Sequence, residues 1–191
     1  MIDVLRVLFP AIGLEPGDST DQPTVRVPAA NLVELCRGLR DRPDLGFVLL
    51  ADLTAVDRWP RQPRWEVVYH LSSLTQRLRV TVSLDGASPR VPTVQSVWPA
   101  ANWLERETWD MFGIVFEDHG DLRRLLMPED WEGYPLRKDF PVQIRLRPRG
   151  DQPLQVTEEE FRENLARDKA ARADAMTPRA AHGASSDHGR N

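Results

Sequence analysis

Leu78-Arg79-Val80-Thr81-Val82-Ser83-Leu84 places an apolar residue at every second position and a polar one between. Side chains of an extended chain alternate between two faces, so this run predicts a strand with one covered and one wet face. Just upstream, Trp65-Glu66-Val67-Val68-Tyr69-His70-Leu71 is a second strand, and Ser72 and Ser73 begin a short polar connection. The pair reads as an antiparallel hairpin. Working outward, Phe47 to Leu53 is aliphatic enough for a strand covered on both faces, and Val25-Arg26-Val27 for a short one. Pro28 opens a helix in which Leu32, Leu35, Cys36 and Leu39 share a face. A short helix from Ile2 to Phe9 stops at Pro10, and Gly13 to Pro23, rich in Gly, Pro, Asp, Ser and Thr, reads as a loop. Helix, strand, helix and then a strand meander imply an α+β fold, with a mixed or antiparallel sheet and helices packed on one face.

The chain has 191 residues, room for one domain plus an extension or for two small domains. Its 25 basic and 29 acidic residues give a formal charge of −4, which argues against general nucleic-acid binding. A single cysteine, Cys36, closes no internal disulfide and cannot supply the thiolates of an iron–sulfur cluster or a cysteine-rich zinc site. Its place on an apolar helix face marks it as a small buried hydrophobe. The run Phe47 to Ala51 falls far short of the roughly 20 residues that cross a bilayer. Residues 1–10 lack a basic start and a small-residue cleavage site, so the expectation is a soluble intracellular chain without a secretory leader.

From Thr93 the character changes: Trp98, Trp103, Trp109 and Trp131, four of the six tryptophans, fall within a short span. A helix is expected from near Ala100 to Phe112, with Gly113 as its left-handed cap and Ile114-Val115-Phe116 as a short strand beyond it. After Met127 the prolines at 128, 135, 141, 148 and 153 forbid long regular elements. The chain therefore divides into an α+β domain over 1–127, an extended irregular segment over 128–153, and a charged tail over 154–191. Thr157-Glu158-Glu159-Glu160 is a capping box for a helix with a thin apolar stripe of Phe161 and Leu165, and Thr177 to Asn191 is expected to be disordered.

On a helical wheel Leu104, Met111 and Phe112 share a face, while Trp103, Arg106, Glu107 and Asp110 gather opposite. Arg106 and Asp110 are four apart and able to pair. Glu107 or Asp110, with His119, could serve as a general acid or base, but a solvated face or an orienting ion-pair network is the commoner use of such residues. Tryptophans interleaved with charges also suit a protein interface. The four histidines show no ligand spacing, and GxGxxG, GxxxxGK[ST] and GxSxG are absent from the sequence.

Glu105-Arg106-Glu107-Thr108-Trp109-Asp110-Met111-Phe112, then His119 and Asp121-Leu122-Arg123-Arg124-Leu125-Leu126, resembles the signature of the thirty-kilodalton subunit of respiratory complex I. The resemblance continues from Met127 to Pro141 and includes Leu50 to Asp57 and Arg90 to Val94 upstream. It implies a subunit with no cofactor or catalytic residue of its own, in the peripheral arm of a proton-translocating NADH–quinone oxidoreductase. FMN, iron–sulfur clusters and quinone would sit in partner subunits. The implied partners are the forty-nine-kilodalton quinone-site subunit and neighbouring iron–sulfur subunits, on the cytoplasmic side of a bacterial inner membrane, with the membrane reached only through the complex. Signature and interface residues would be Trp103, Glu105, Arg106, Glu107, Trp109, Asp110, His119, Arg123, Arg137, Lys138 and Asp139. Two alternatives stay open: the equivalent subunit of a membrane-bound hydrogenase or other complex not fed by NADH, and a free-standing acid/base enzyme using Glu107, Asp110 and His119.

Overall fold

The computed structural model describes residues 1–17, 19–141, 162, 163, 166 and 167. In chain order the first part holds α1 (Ile2–Leu8), β1 (Glu15–Pro16), β2 (Thr24–Arg26), a single 3-10 turn (Ala29–Asn31) and α2 (Leu32–Asp41). Then follow β3 (Leu49–Asp57), β4 (Trp65–Ser72), β5 (Arg77–Leu84), β6 (Arg90–Pro92), α3 (Ala101–Phe112) and β7 (Val115–Glu117). The expected hairpin is β4–β5, in unbroken register from Trp65 opposite Leu84 to Ser72 opposite Arg77. It forms the middle of a five-stranded sheet ordered β1-β2-β5-β4-β3. The sheet is mixed, because β2 runs parallel to β5 while the other pairs are antiparallel.

One sheet face packs on the helices. Leu78, Val80, Val82 and Leu84 of β5 are buried, as are Trp65, Val67, Tyr69 and Leu71 of β4 and Leu32, Leu35, Cys36 and Leu39 of α2. All belong to one apolar core that also takes in Met111 and Phe112 of α3. On the other face, Arg79 and His70 hold down the loop before β2 through Ser19, Asp21 and Gln22.

β3 corrects the expectation of a strand over Phe47–Leu53 covered on both faces. It begins two residues later and lies at the sheet edge, with Leu49 and Val56 facing solvent. Phe47 belongs to the connection from α2: its N–H is bonded to the Leu39 carbonyl, after Gly46 turns the chain at a φ of 56°. A bulge between Leu50 and Asp52 then resets the alternation, so that Leu53, Ala55 and Asp57 point inward after Leu50. Without that extra residue the inward set would be flipped to solvent. Two further strands are additions to the expected set: β1 inside the expected loop, and β6, which pairs parallel with β7.

α3 starts and stops where the sequence implies. Gly113 sits at a φ of 73°, and its N–H closes on the Trp109 carbonyl at 2.7 Å. The compact unit containing these elements runs from Met1 to Val142, so residues 128–141, expected as the start of a separate segment, belong to it. The second unit spans Gln143–Asn191. In it Arg162, Glu163, Ala166 and Arg167 are helical and exposed, within the helix the capping box predicts. The rest of that helix, residues 142–153 and the expected disordered tail lie outside the described residues.

Gly113→Ala combines a left-handed backbone with a Cβ pressed against Arg137 and Tyr134. It is expected to lower stability by about 1–3 kcal/mol, read as a fall in the thermal unfolding midpoint.

Candidate functional site

The sequence after β7 runs back across α3 as a strap, residues 118–141. Such irregular chain carries backbone N–H groups that no helix or strand satisfies, and it needs acceptors. Asp110 supplies them. Its side chain is fully buried, with Oδ2 accepting from the N–H groups of Leu125, Leu126 and Met127 at 2.8–3.0 Å and Oδ1 from Arg124 at 2.6 Å. Burial pushes the carboxyl up, but the bonds from Met127, Arg124, Leu125 and Leu126 outweigh it and hold Asp110 below its ordinary value. Arg124 extends the knot to the carbonyls of Trp131 and Gly133, and lies over the rings of Trp109 and Tyr134.

A second carboxylate repeats the device further along. Asp57, at the end of β3, accepts two bonds from Arg64, one from the Trp59 N–H and one from the Lys138 N–H at 2.9 Å. The Arg64 guanidinium holds the Asp57 carboxyl well below the usual carboxylate range. Arg64 also binds both oxygens of Asp139. Between these points Arg137 donates to the Phe112 carbonyl at 2.6 Å and packs between the rings of Trp65 and Tyr134. The strap is thus fastened at both ends and clamped over the C-terminus of α3.

The charged side of α3 is therefore only partly solvated, and its buried members, Arg106 and Asp110, are engaged by the strap rather than by each other. Arg106 and Asp110 do not pair, because the Asp110 oxygens are filled from the strap. Arg106 instead donates to the carbonyls of Arg123 and Arg124 at 3.2 Å, with its guanidinium 5.0 Å from the Trp103 ring centroid. Glu105 turns the other way, into the core. Burial pushes its carboxyl up to about 7, against hydrogen bonds from the Thr93 hydroxyl and the Val94 N–H. His119 Nδ1 accepts from the Asp121 N–H, which leaves the proton on Nε2, directed at the Asn102 carbonyl and 3.8 Å from Glu105.

Glu107 and Trp103 remain in solvent on the outer side of the helix, while Trp109 is half-buried beneath Arg124. Arg123 is exposed and tied to Asp121, and Lys138 contributes only its backbone. Sequence reasoning missed Arg124, Asp57, Arg64 and Tyr134 as structural fasteners, although all but Arg64 lie in stretches that carry the family resemblance. The acid/base trio is not assembled: Asp110 and His119 are buried and engaged, and Glu107 faces water. The hollow of about 310 Å³ on the outer sheet face is lined by other residues, among them Arg26, Glu66, His70 and Arg79. Among the described residues no cluster of three or more His, Cys, Asp or Glu is grouped to hold a metal ion. No described helix is long and apolar enough to cross a membrane.

Fold and site together define a sheet domain whose signature helix is used to fasten a strap. Residues 25–145 match the family model of the respiratory-chain NADH dehydrogenase 30 Kd subunit, and the chain belongs to that family. It is 46% identical over 144 residues to the NADH-quinone oxidoreductase C-subunit of Roseiflexus sp., covering 74% of this chain and 83% of that one. A C-subunit of the same enzyme from Rhizobium meliloti is 53% identical over 117 residues, 61% of this chain and 64% of that one. Among solved structures, a trypsin-resistant fragment of Nqo5 superposes with a TM-score of 0.51 at 34% identity, over 63% of this chain and 95% of that one. The archaeal membrane-bound sulfane sulfur reductase complex includes a chain with a TM-score of 0.60 at 31% identity, over 73% of this chain and 84% of that one.

Asp110→Asn places an amide against donors and removes the charge facing Arg124. It is expected to cost about 3 kcal/mol and to speed amide exchange at Leu125, Leu126 and Met127, as hydrogen-exchange mass spectrometry would detect. Glu105 acts in the opposite sense with pH. Its carboxyl is raised from 4.5 to about 7, so its contribution is complete below the unfolded value and is lost as pH rises through the folded one. The stability of Glu105→Gln relative to wild type should therefore rise by up to about 3 kcal/mol between those two values, measured by urea unfolding across pH.

Proposed function

We propose that this chain is a non-redox structural subunit of the peripheral arm of a proton-translocating NADH–quinone oxidoreductase, docking the partner that carries the quinone site. The observation that carries the reading is the strap. Its charges at Arg124, Arg137 and Asp139 are spent on fixing its course, and Leu126 and Leu136 stay exposed on it, as Trp103 does on α3. A segment ordered in advance presents a surface to a partner without a large entropic cost on binding. Electrons pass from NADH through FMN and iron–sulfur centres to quinone in other subunits, and this chain supplies scaffold on the cytoplasmic side of the inner membrane.

A second reading has one observation behind it. The likeness to a chain of the sulfane sulfur reductase complex, at the higher TM-score of the two structures, supports use of the same scaffold in a respiratory complex with another electron donor or acceptor.

Arg106→Ala is expected to reduce the amount of assembled complex severalfold while leaving turnover per assembled complex near wild type. Blue-native gels with in-gel NADH oxidation measure the first, and quinone reduction normalised to flavin the second. Full assembly with a large loss of turnover would contradict the scaffold role, as would NADH oxidation by the purified chain alone.

A further inference from the structure

We propose that Trp103 and Glu107 together form a receptor for an arginine side chain of a neighbouring subunit, its guanidinium stacked on the indole and forked onto the carboxylate. This rests on the reading of the chain as a subunit of a larger assembly, and names what one patch of its surface binds.

α3 is covered on two sides, by the core and by the strap. What it leaves to solvent is Trp103, 58% exposed, and the exposed Glu107 one turn on. Residues four apart lie side by side on a helix, so the indole and the carboxylate share one patch. Trp103 is held in place. The Arg106 guanidinium lies over its ring and is itself fixed by the Arg123 and Arg124 carbonyls.

Glu107 has no ion-pair partner among the described residues, and the arginines around it are occupied. Arg106 is bonded to carbonyls, Arg123 to Asp121, and Arg124 to Asp110. Among the described residues, then, no cation is paired with this carboxylate, and its charge stays available to a partner's. A negative charge beside an exposed π face selects a cation, and a planar guanidinium meets both demands where an ammonium meets one. An ordered tryptophan of this kind is also what dominates protein interfaces when a partner excludes water around it.

The test uses the assembled complex, purified through a tag on a different subunit. Absence of the wild-type chain from it would overturn the assembly reading itself, whatever Trp103 and Glu107 do. With the chain present, hydroxyl-radical oxidation of Trp103 should be at least about tenfold slower in the complex than in the urea-unfolded chain. Slowing of only roughly twofold, the effect of its own partial exposure, would overturn the receptor. Glu107→Arg should lower the recovered chain about tenfold or more, and Glu107→Gln severalfold, with the thermal midpoint of each purified variant unchanged because the position is exposed. Protection of Trp103 together with undiminished recovery of Glu107→Arg would also overturn it, since the covering surface would then not be cationic. If Glu107→Arg fails to fold, Glu107→Gln and the Trp103 oxidation rate decide the matter.

Discussion

Asp110 collects four hydrogen bonds on two oxygens, and most of the second half of the domain is arranged to deliver them. Chain without secondary structure is costly to bury because each N–H needs an acceptor. One ionised carboxylate meets three such demands at once, and its charge is balanced by Arg124. Asp57 does the same for the far end of the strap through Lys138 and Arg64. The strap is held by acceptors that the helix and sheet already possess, so its own composition is free to contain prolines and exposed apolar groups.

Two carboxylates five residues apart on α3 meet opposite electrostatic fates. Asp110 is surrounded by donors and stays ionised, whereas Glu105 has fewer donors than its burial demands and is pushed up to about 7. Near neutral pH this pair of carboxylates therefore comprises one fixed charge and one that titrates. Glu105 also faces His119 and ties α3 to the turn after β6, so the proton it holds belongs to the packing of three segments.

The hairpin, α2 and the α3–Gly113 stop were legible because each is settled by local pattern: alternation, a four-residue apolar stripe, a glycine where φ must be positive. The start of β3 was not, since Phe47 is held by the hydrogen bond its N–H donates to α2 and the bulge at Leu50–Asp52 shifts the faces by one. β1 and β6, of two and three residues, exist through their pairing and have almost no propensity signal of their own. The helical wheel of α3 misled because it assumed a single covered side. Arg106 and Asp110 sit at pairing distance in sequence, yet each found stronger partners at least 14 residues downstream in the strap. Residue types at the site were readable from the signature. Their directions were not.

The parallel alignment of β2 with β5 has a kinetic side. Thr24 lies opposite Arg79, so the N-terminal strand waits for most of the sheet to be synthesised before it finds its neighbour. Loop closure over that separation is slow compared with forming the adjacent hairpin. On the ribosome, the segment from α1 through α2 emerges as an orphaned apolar stretch, and its rescue depends on how soon the meander behind it is released.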